Sequence, residues 1–171
     1  MLCHITHRKK DYIQFVKDRK PGISTGFTLL DDMLYGLQSG YHIIASRPSV
    51  GKTSLAINMA IKMALSGFKV LFFSIEMSEP QFMDRVIALL SGVSPKDIRN
   101  DEIKEDNKED LSKVDEKINN MNIYVDYTSQ HTTASIANQI LFLKDNDDFV
   151  PDVIFVDYIQ YMKTGENRYP K

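Results

Sequence analysis

Ala45-Ser46-Arg47-Pro48-Ser49-Val50-Gly51-Lys52-Thr53-Ser54 joins two segments of different character. Ahead of it runs Tyr41-His42-Ile43-Ile44-Ala45, an apolar run of strand length. Behind it, from about Lys52 to Ser66, the apolar residues continue as a helix pattern. Strand, tight loop and helix N-terminus in this order are the setting that a phosphate-binding loop requires. The first N–H groups of such a helix have no partner within it, and the helix dipole favours an anion there. Gly51 lets backbone approach a phosphate oxygen because it carries no Cβ. Lys52 supplies a mobile cation for β- and γ-phosphates, and the Thr53 hydroxyl is a ligand for Mg²⁺. The general pattern is G-x-x-x-x-G-K-[ST], and this chain has Ser46 at the first glycine position. Taken alone, Gly-Lys-Thr after an apolar run also fits an ordinary strand-to-helix turn, so the remaining segments must decide.

The helix after the loop is apolar nearly all round (Leu55, Ala56, Ile57, Met59, Ala60, Ile61, Met63, Ala64, Leu65), which implies burial against a sheet. Lys69-Val70-Leu71-Phe72-Phe73-Ser74-Ile75 is a continuous apolar run, the mark of a strand covered on both faces, and it delivers Glu76 at its C-terminal end. Ligands of open α/β sheets gather at that end of the strands. Ser78 and Gln81 form a capping box for a helix whose buried face is Phe82, Val86, Ile87, Leu89 and Leu90, and Gly92 ends it. Ser94-Pro95 opens a short helical turn. From Asp101 to Asn120 an acidic amphipathic helix is expected, with Leu111, Val114 and Ile118 as its stripe. Asn122-Ile123-Tyr124-Val125-Asp126 reads as a short strand, and Thr132 or Thr133 caps a helix to about Lys144 bearing Ile136, Ile140 and Leu143. Pro151-Asp152-Val153-Ile154-Phe155-Val156-Asp157 is a further buried strand that again ends on a carboxylate. An apolar strand ending in Asp, well downstream of Gly-Lys-Thr, is the arrangement that holds Mg²⁺ beside a nucleotide; by itself Asp157 also fits a strand-end cap.

The chain has 171 residues, 43% of them hydrophobic and 26% charged, with a net charge of -2. That is one domain's worth of ordinary globular sequence, and the charge gives no global sign of nucleic-acid binding. A lone cysteine, Cys3, excludes an internal disulfide and suits a reducing cytoplasm. No apolar run approaches the roughly 20 residues that a membrane helix needs, and no membrane partner is expected. Residues 1–20 are locally basic (Arg8, Lys9, Lys10, Lys17, Arg19, Lys20) and carry Tyr12, Ile13, Phe15 and Val16 on one side of a short helix. They read as a linker that is either a solvated terminal helix or one that docks on a neighbouring subunit, with residues 21–171 as the main domain. Within that domain Thr28 or Ser24 caps a short helix ending near Tyr35, with Gly36 after it. Strands alternating with helices predict a mostly parallel sheet with helices on both faces.

Taken together these segments resemble the C-terminal, RecA-like motor domain of the bacterial replicative DNA helicases, the DnaB family. The resemblance rests on Ser24-Thr25-Gly26-Phe27 with Leu30-Asp31, on Arg47-Pro48-Ser49-Val50-Gly51-Lys52-Thr53 and on Ser74-Ile75-Glu76-Met77. It continues through the 122–126 segment and Val156-Asp157-Tyr158-Ile159-Gln160-Tyr161-Met162. It covers most of the chain from Gly22 to Tyr169. The Arg-Pro-Ser before Gly-Lys-Thr and the Asp-Tyr-x-Gln segment set it apart from recombinase- and clock-type ATPases, although the family usually has Ala where Ser46 stands.

The resemblance implies an α/β, RecA-like P-loop NTPase fold that uses ATP and Mg²⁺. Ser46 through Ser54 would form the nucleotide cradle. Lys52 and Glu76 would act in catalysis, Glu76 as the base for the attacking water. Thr53 and Asp157 would hold the metal. It also implies single-stranded DNA as a partner and assembly into a homo-oligomeric, hexameric ring, or binding to a complete helicase subunit. The family's polar sensor, DNA-binding loops and arginine finger are expected beyond Lys171, so strand separation is not expected of these residues alone. The sheet is expected to be incomplete at its C-terminal side, because the strand after Asp157 normally lies between that strand and the loop strand. Without it the two would stand about two strand spacings apart, roughly 9.6 Å, exposing two unpaired edges. A truncated paralogue that binds nucleotide or a helicase subunit and regulates replication is the alternative to a motor domain.

Overall fold

A computed structural model describes residues 9–100 and 105–162, which fall into two compact units dividing between His42 and Ile43. Arg8 of the basic segment and residues 101–104 of the expected acidic helix lie outside the described residues, as does Tyr169.

In the first unit α1 (Lys9–Asp18) shows Tyr12, Phe15 and Val16 exposed. Helix α2 (Thr28–Leu34) follows, and its N-cap position is Phe27, which makes no side-chain cap bond. The expected caps at Ser24 and Thr28 are therefore not used. Instead Asp31 gathers the preceding turn: its carboxylate accepts from the Ser24 hydroxyl (2.7 Å), the Thr25 hydroxyl (2.6 Å) and the Thr25 N–H (2.7 Å). Partial desolvation raises the Asp31 pKa, but these donors outweigh it and hold the carboxyl below its ordinary value. The helix ends on Tyr35 and Gly36, both with positive φ (58° and 71°). Gly36 also has no room for a side chain, since a Cβ there would meet the Gly22 carbonyl oxygen at 2.6 Å. That close approach lets Ile23 and Leu37 exchange both backbone hydrogen bonds, 2.9 and 2.8 Å, and closes the unit.

The second unit is built on a parallel three-stranded sheet, β1 (Val70–Ser74), β2 (Ile123–Asp126) and β3 (Val153–Asp157), in the order β2-β1-β3. All five residues of β1 are buried, as its unbroken apolar run requires of a central strand. Alternation sends Leu71, Phe73 and Ile75 to one face, where they cluster with Leu143 and Phe149. Ile136 and Ile140 of α7 (Thr133–Asp147) pack against that cluster. Phe72 faces the other way, stacked on Phe155 at 5.5 Å and edge-on to Phe82 of α4 (Glu79–Ser91) at 5.1 Å. Helix α3 (Lys52–Leu65) buries Ala56, Ile57, Met59, Ala60, Ile61, Met63 and Ala64 and packs against the strands and α4. Short α5 (Pro95–Arg99) is capped by Ser94, whose hydroxyl accepts from the Asp97 N–H. Helix α6 (Glu105–Asn119) buries Val114 and packs on α4. Thr132 caps α7 through a box with Ser135, and that helix runs three residues past Lys144. Between β2 and α7, buried His131 lies edge-on to Phe73 (4.9 Å), with its Nε2 3.5 Å from Asp126 Oδ1 and without a hydrogen bond.

Two expectations need correcting. Residues 41–47 take up no regular structure, and Tyr41 and Ile43 are exposed, so the apolar run ahead of the loop is not a core strand. A strand persists only as part of a ladder, and no described strand pairs with this run, while β3 is bonded along one edge alone. Nor is β3 the fully buried strand expected: it stands at the edge of the sheet, and its Ile154 is 41% exposed.

Candidate nucleotide site

The C-terminal ends of β1 and β3 lie side by side, with Ser74 opposite Asp157 and the Ile75 N–H donating to the Asp157 carbonyl at 3.0 Å. This pairing sets Glu76 beside the strand end that carries Asp157. Glu76 is solvent-exposed in the turn leading to α4, whose start is fixed by the Ser78 N–H donating to Gln81 Oε1 (3.2 Å). Within the turn the Ser74 hydroxyl donates to the Met77 carbonyl at 3.1 Å.

The loop reaches the same place from the other side. Ser49 (φ 65°) and Gly51 (φ 108°) both take the left-handed region, which turns the chain sharply into α3. Gly51 is the N-cap position and provides no side-chain bond, so the first N–H groups of α3 are left for another acceptor; the first turn closes with Leu55 N–H to Gly51 C=O at 2.9 Å. A Cβ built at Gly51 would meet nothing within 4 Å, so the space over it is open. These features fit a phosphate group.

Lys52 projects its ammonium to 3.9 Å from Asp157 Oδ1 and 3.9 Å from the centroid of the Tyr158 ring. Asp157 is only 5% exposed, and the Lys52 ammonium is the cation that faces it. Lys52, Glu76 and Asp157 are thus brought to one end of the sheet. Half-buried Thr53 joins Glu76 in lining a cavity of about 760 Å³ between α3, α4 and α5. Neither Lys52 nor Asp157 lines that cavity, so the cavity is a flank of the site and not its centre. A Mg²⁺ ion fits the Thr53 hydroxyl and the Asp157 carboxylate only if phosphate and water complete its shell. The described residues contain no cluster of three or more His, Cys, Asp or Glu suited to a metal.

Ser46, Arg47, Pro48, Ser49, Val50 and Gly51 are all exposed in the loop and do not line the cavity; the Ser46 hydroxyl donates to the Arg47 carbonyl at 3.1 Å. Ser54 is exposed and is taken up by a residue that sequence reading passed over, Arg85 of α4, whose Nη1 donates to its hydroxyl at 2.7 Å. The contact of Tyr158 with Lys52 was likewise legible only as an aromatic following the strand-end Asp. Tyr127, edge-on to Phe82 (5.8 Å), has its phenol pushed up to about 12, first by burial and then by the charge of Glu79.

Comparison with known proteins bears on the family and the fold. Residues 22–171 match the family profile described as the DnaB-like helicase C terminal domain. Over 98% of its length the chain is 37% identical to a probable plasmid replicative DNA helicase of Chlamydia trachomatis, covering 38% of that protein. It is 31% identical to the replicative DNA helicase DnaB of a Nostoc species, again over 98% of the chain but 20% of the relative. Among solved structures, a DnaB-like replicative helicase studied with primase superposes with a TM-score of 0.86 at 22% identity, over 99% of this chain and 42% of that one. The ATPase domain of G40P superposes at 0.79 and 23% identity, over 99% and 62%. The fold is therefore that of a RecA-like ATPase domain, and the chain belongs to the DnaB-like helicase C-terminal domain family.

Proposed function

We propose that this chain is the nucleotide-binding part of an ATP-driven replicative DNA helicase. One observation carries the reading: Lys52 and Asp157, far apart in sequence, meet at the sheet end that also presents Glu76. The free N–H groups at the start of α3 and the Lys52 ammonium take the β- and γ-phosphates, with Ser46 through Ser54 as the cradle. Thr53 and Asp157 hold Mg²⁺, which when bound neutralises charge on the phosphate oxygens. Glu76, exposed at the strand end, orients the attacking water and accepts its proton. Positioning and charge stabilisation are most of what phosphoryl transfer requires.

The work done with that energy is the unwinding of DNA by a ring of subunits that holds a single strand. The exposed apolar residues Tyr12, Phe15 and Val16 of α1 support docking on a neighbouring subunit. No described helix is long and apolar enough to cross a membrane, which is consistent with work in the cytoplasm. Isothermal calorimetry tests the site: Lys52→Ala is expected to abolish MgATP binding. Unchanged affinity in that variant would remove the phosphate-loop assignment.

A further inference from the structure

We propose that Arg85 is a positioning residue that ties the metal-binding turn of α3 to the helix that follows the water-orienting Glu76. The inference rests on the nucleotide-site reading above and adds to it a part that the loop and strand-end residues do not supply. Arg85 Nη1 donates to Ser54 Oγ at 2.7 Å across 31 positions of sequence. Such a bond to an ionised donor is short and directional. Arg85 pairs with no carboxylate among the described residues, whereas Arg99 in the same cavity is held by Asp84 at 3.0 Å. Ser54 is thus the side-chain partner of its guanidinium among the described residues.

The two ends of this bond differ in how firmly they are held. On the α4 side Arg85 precedes buried Val86 and lies one turn beyond buried Phe82, on a helix started by the Ser78–Gln81 box two residues after Glu76. That end is anchored in the core and moves with the Glu76 turn. On the other side Ser54 sits in the first turn of α3, the part of a helix least constrained by its own hydrogen bonds. The Leu55 N–H to Gly51 and the Asn58 side chain to the Ser54 carbonyl (2.9 Å) hold its backbone, but neither fixes its rotation toward the cavity. Arg85 does. With Ser54 fixed, its neighbour Thr53 is held on the cavity wall it shares with Glu76. The bond therefore fixes how Thr53 stands relative to the Glu76 turn on the flank of the site.

The test is calorimetric titration of this chain with ATP, once with excess Mg²⁺ and once with the metal chelated. Arg85 and Ser54 are exposed, so their variants are expected to fold, as circular dichroism will verify. Arg85→Gln and Ser54→Ala should each weaken MgATP binding about five- to tenfold, and Arg85→Gln should leave metal-free ATP within about twofold. The double variant should be no weaker than either single one, as for residues acting through one contact. Arg85→Lys and Ser54→Thr, which keep a donor and an acceptor, should recover most of the affinity. Equal losses with and without metal, additive losses, no loss, or no recovery by the conservative variants would each overturn the proposal. Lys52→Ala run alongside separates the two levels: if wild type binds neither form of ATP, or Lys52→Ala binds as wild type does, the site reading itself falls.

Discussion

Asp157→Asn removes one charge at nearly constant volume and should move the two forms of ATP in opposite directions. In the native chain the Lys52 ammonium lies 3.9 Å from Asp157 Oδ1. At about 4 Å a unit pair interacts by roughly 1 kcal/mol in water and roughly 4 kcal/mol at the effective dielectric of a protein surface. The Lys52 side chain is 28% exposed, so solvent screening places the pair in the lower part of that range, about 1–2 kcal/mol. In the variant the ammonium no longer has to leave a carboxylate, and the triphosphate no longer meets a negative charge. Metal-free ATP should then bind about 5- to 30-fold more tightly, taking about 1.4 kcal/mol per tenfold. MgATP should bind about tenfold more weakly, because the metal loses its one protein carboxylate. Calorimetry with and without a chelator reads both quantities on the same preparation. Metal-free ATP that binds Asp157→Asn no better than wild type would refute the idea that Lys52 and Asp157 share one site.

Further outcomes follow from other parts of the molecule. Phe72 is fully buried between Phe155 and Phe82, so Phe72→Ala should cost about 3–5 kcal/mol in chemical denaturation of the second unit; a loss under about 1 kcal/mol would show that the sheet does not depend on this stack. Asp31 has its folded-state pKa lowered, so its contribution is full above the ordinary carboxylate value and is lost as pH falls through the folded value. Protection of the Thr25 amide, read as its exchange rate relative to an unstructured amide at the same pH, should accordingly be lost only as pH falls below the ordinary carboxylate range, and should be weak at every pH in Asp31→Asn. Tyr127 has its pKa raised to about 12, so its phenol stays neutral while ordinary tyrosines ionise near 10, and the stability linked to it falls as pH rises between those values. The ultraviolet difference between wild type and Tyr127→Phe should therefore show no phenolate signal at about pH 10.5.

Much of this architecture could be read from residues because its causes are local. The four apolar residues that open β1, the all-round apolar α3, the Ser78–Gln81 box and the Thr132 cap each act within one turn or one strand. The convergence of Lys52, Glu76 and Asp157 was legible because parallel strands feeding helices bring their C-terminal ends together. Pairing is different. The run at residues 41–45 has a strand's composition, but a strand exists only beside another, and that depends on residues elsewhere. The caps of α2 were misread because Thr28 is itself the first helical residue, and the Ser24 hydroxyl donates to the Asp31 carboxylate instead of accepting from the first N–H groups of the helix. The Arg85–Ser54 bond spans two helices, and no spacing rule relates position 85 to position 54.

The most direct measurement of the central claim is a crystal structure of this chain with Mg²⁺ and a non-hydrolysable ATP analogue. The account predicts the β- and γ-phosphates over Gly51, within reach of the Lys52 ammonium and the first N–H groups of α3. It also predicts the metal between the Thr53 hydroxyl and Asp157, with Glu76 facing the γ-phosphate through a water. A nucleotide seated elsewhere, for instance deep in the cavity between α3, α4 and α5 against Arg99, with Lys52 still paired to Asp157, would contradict it.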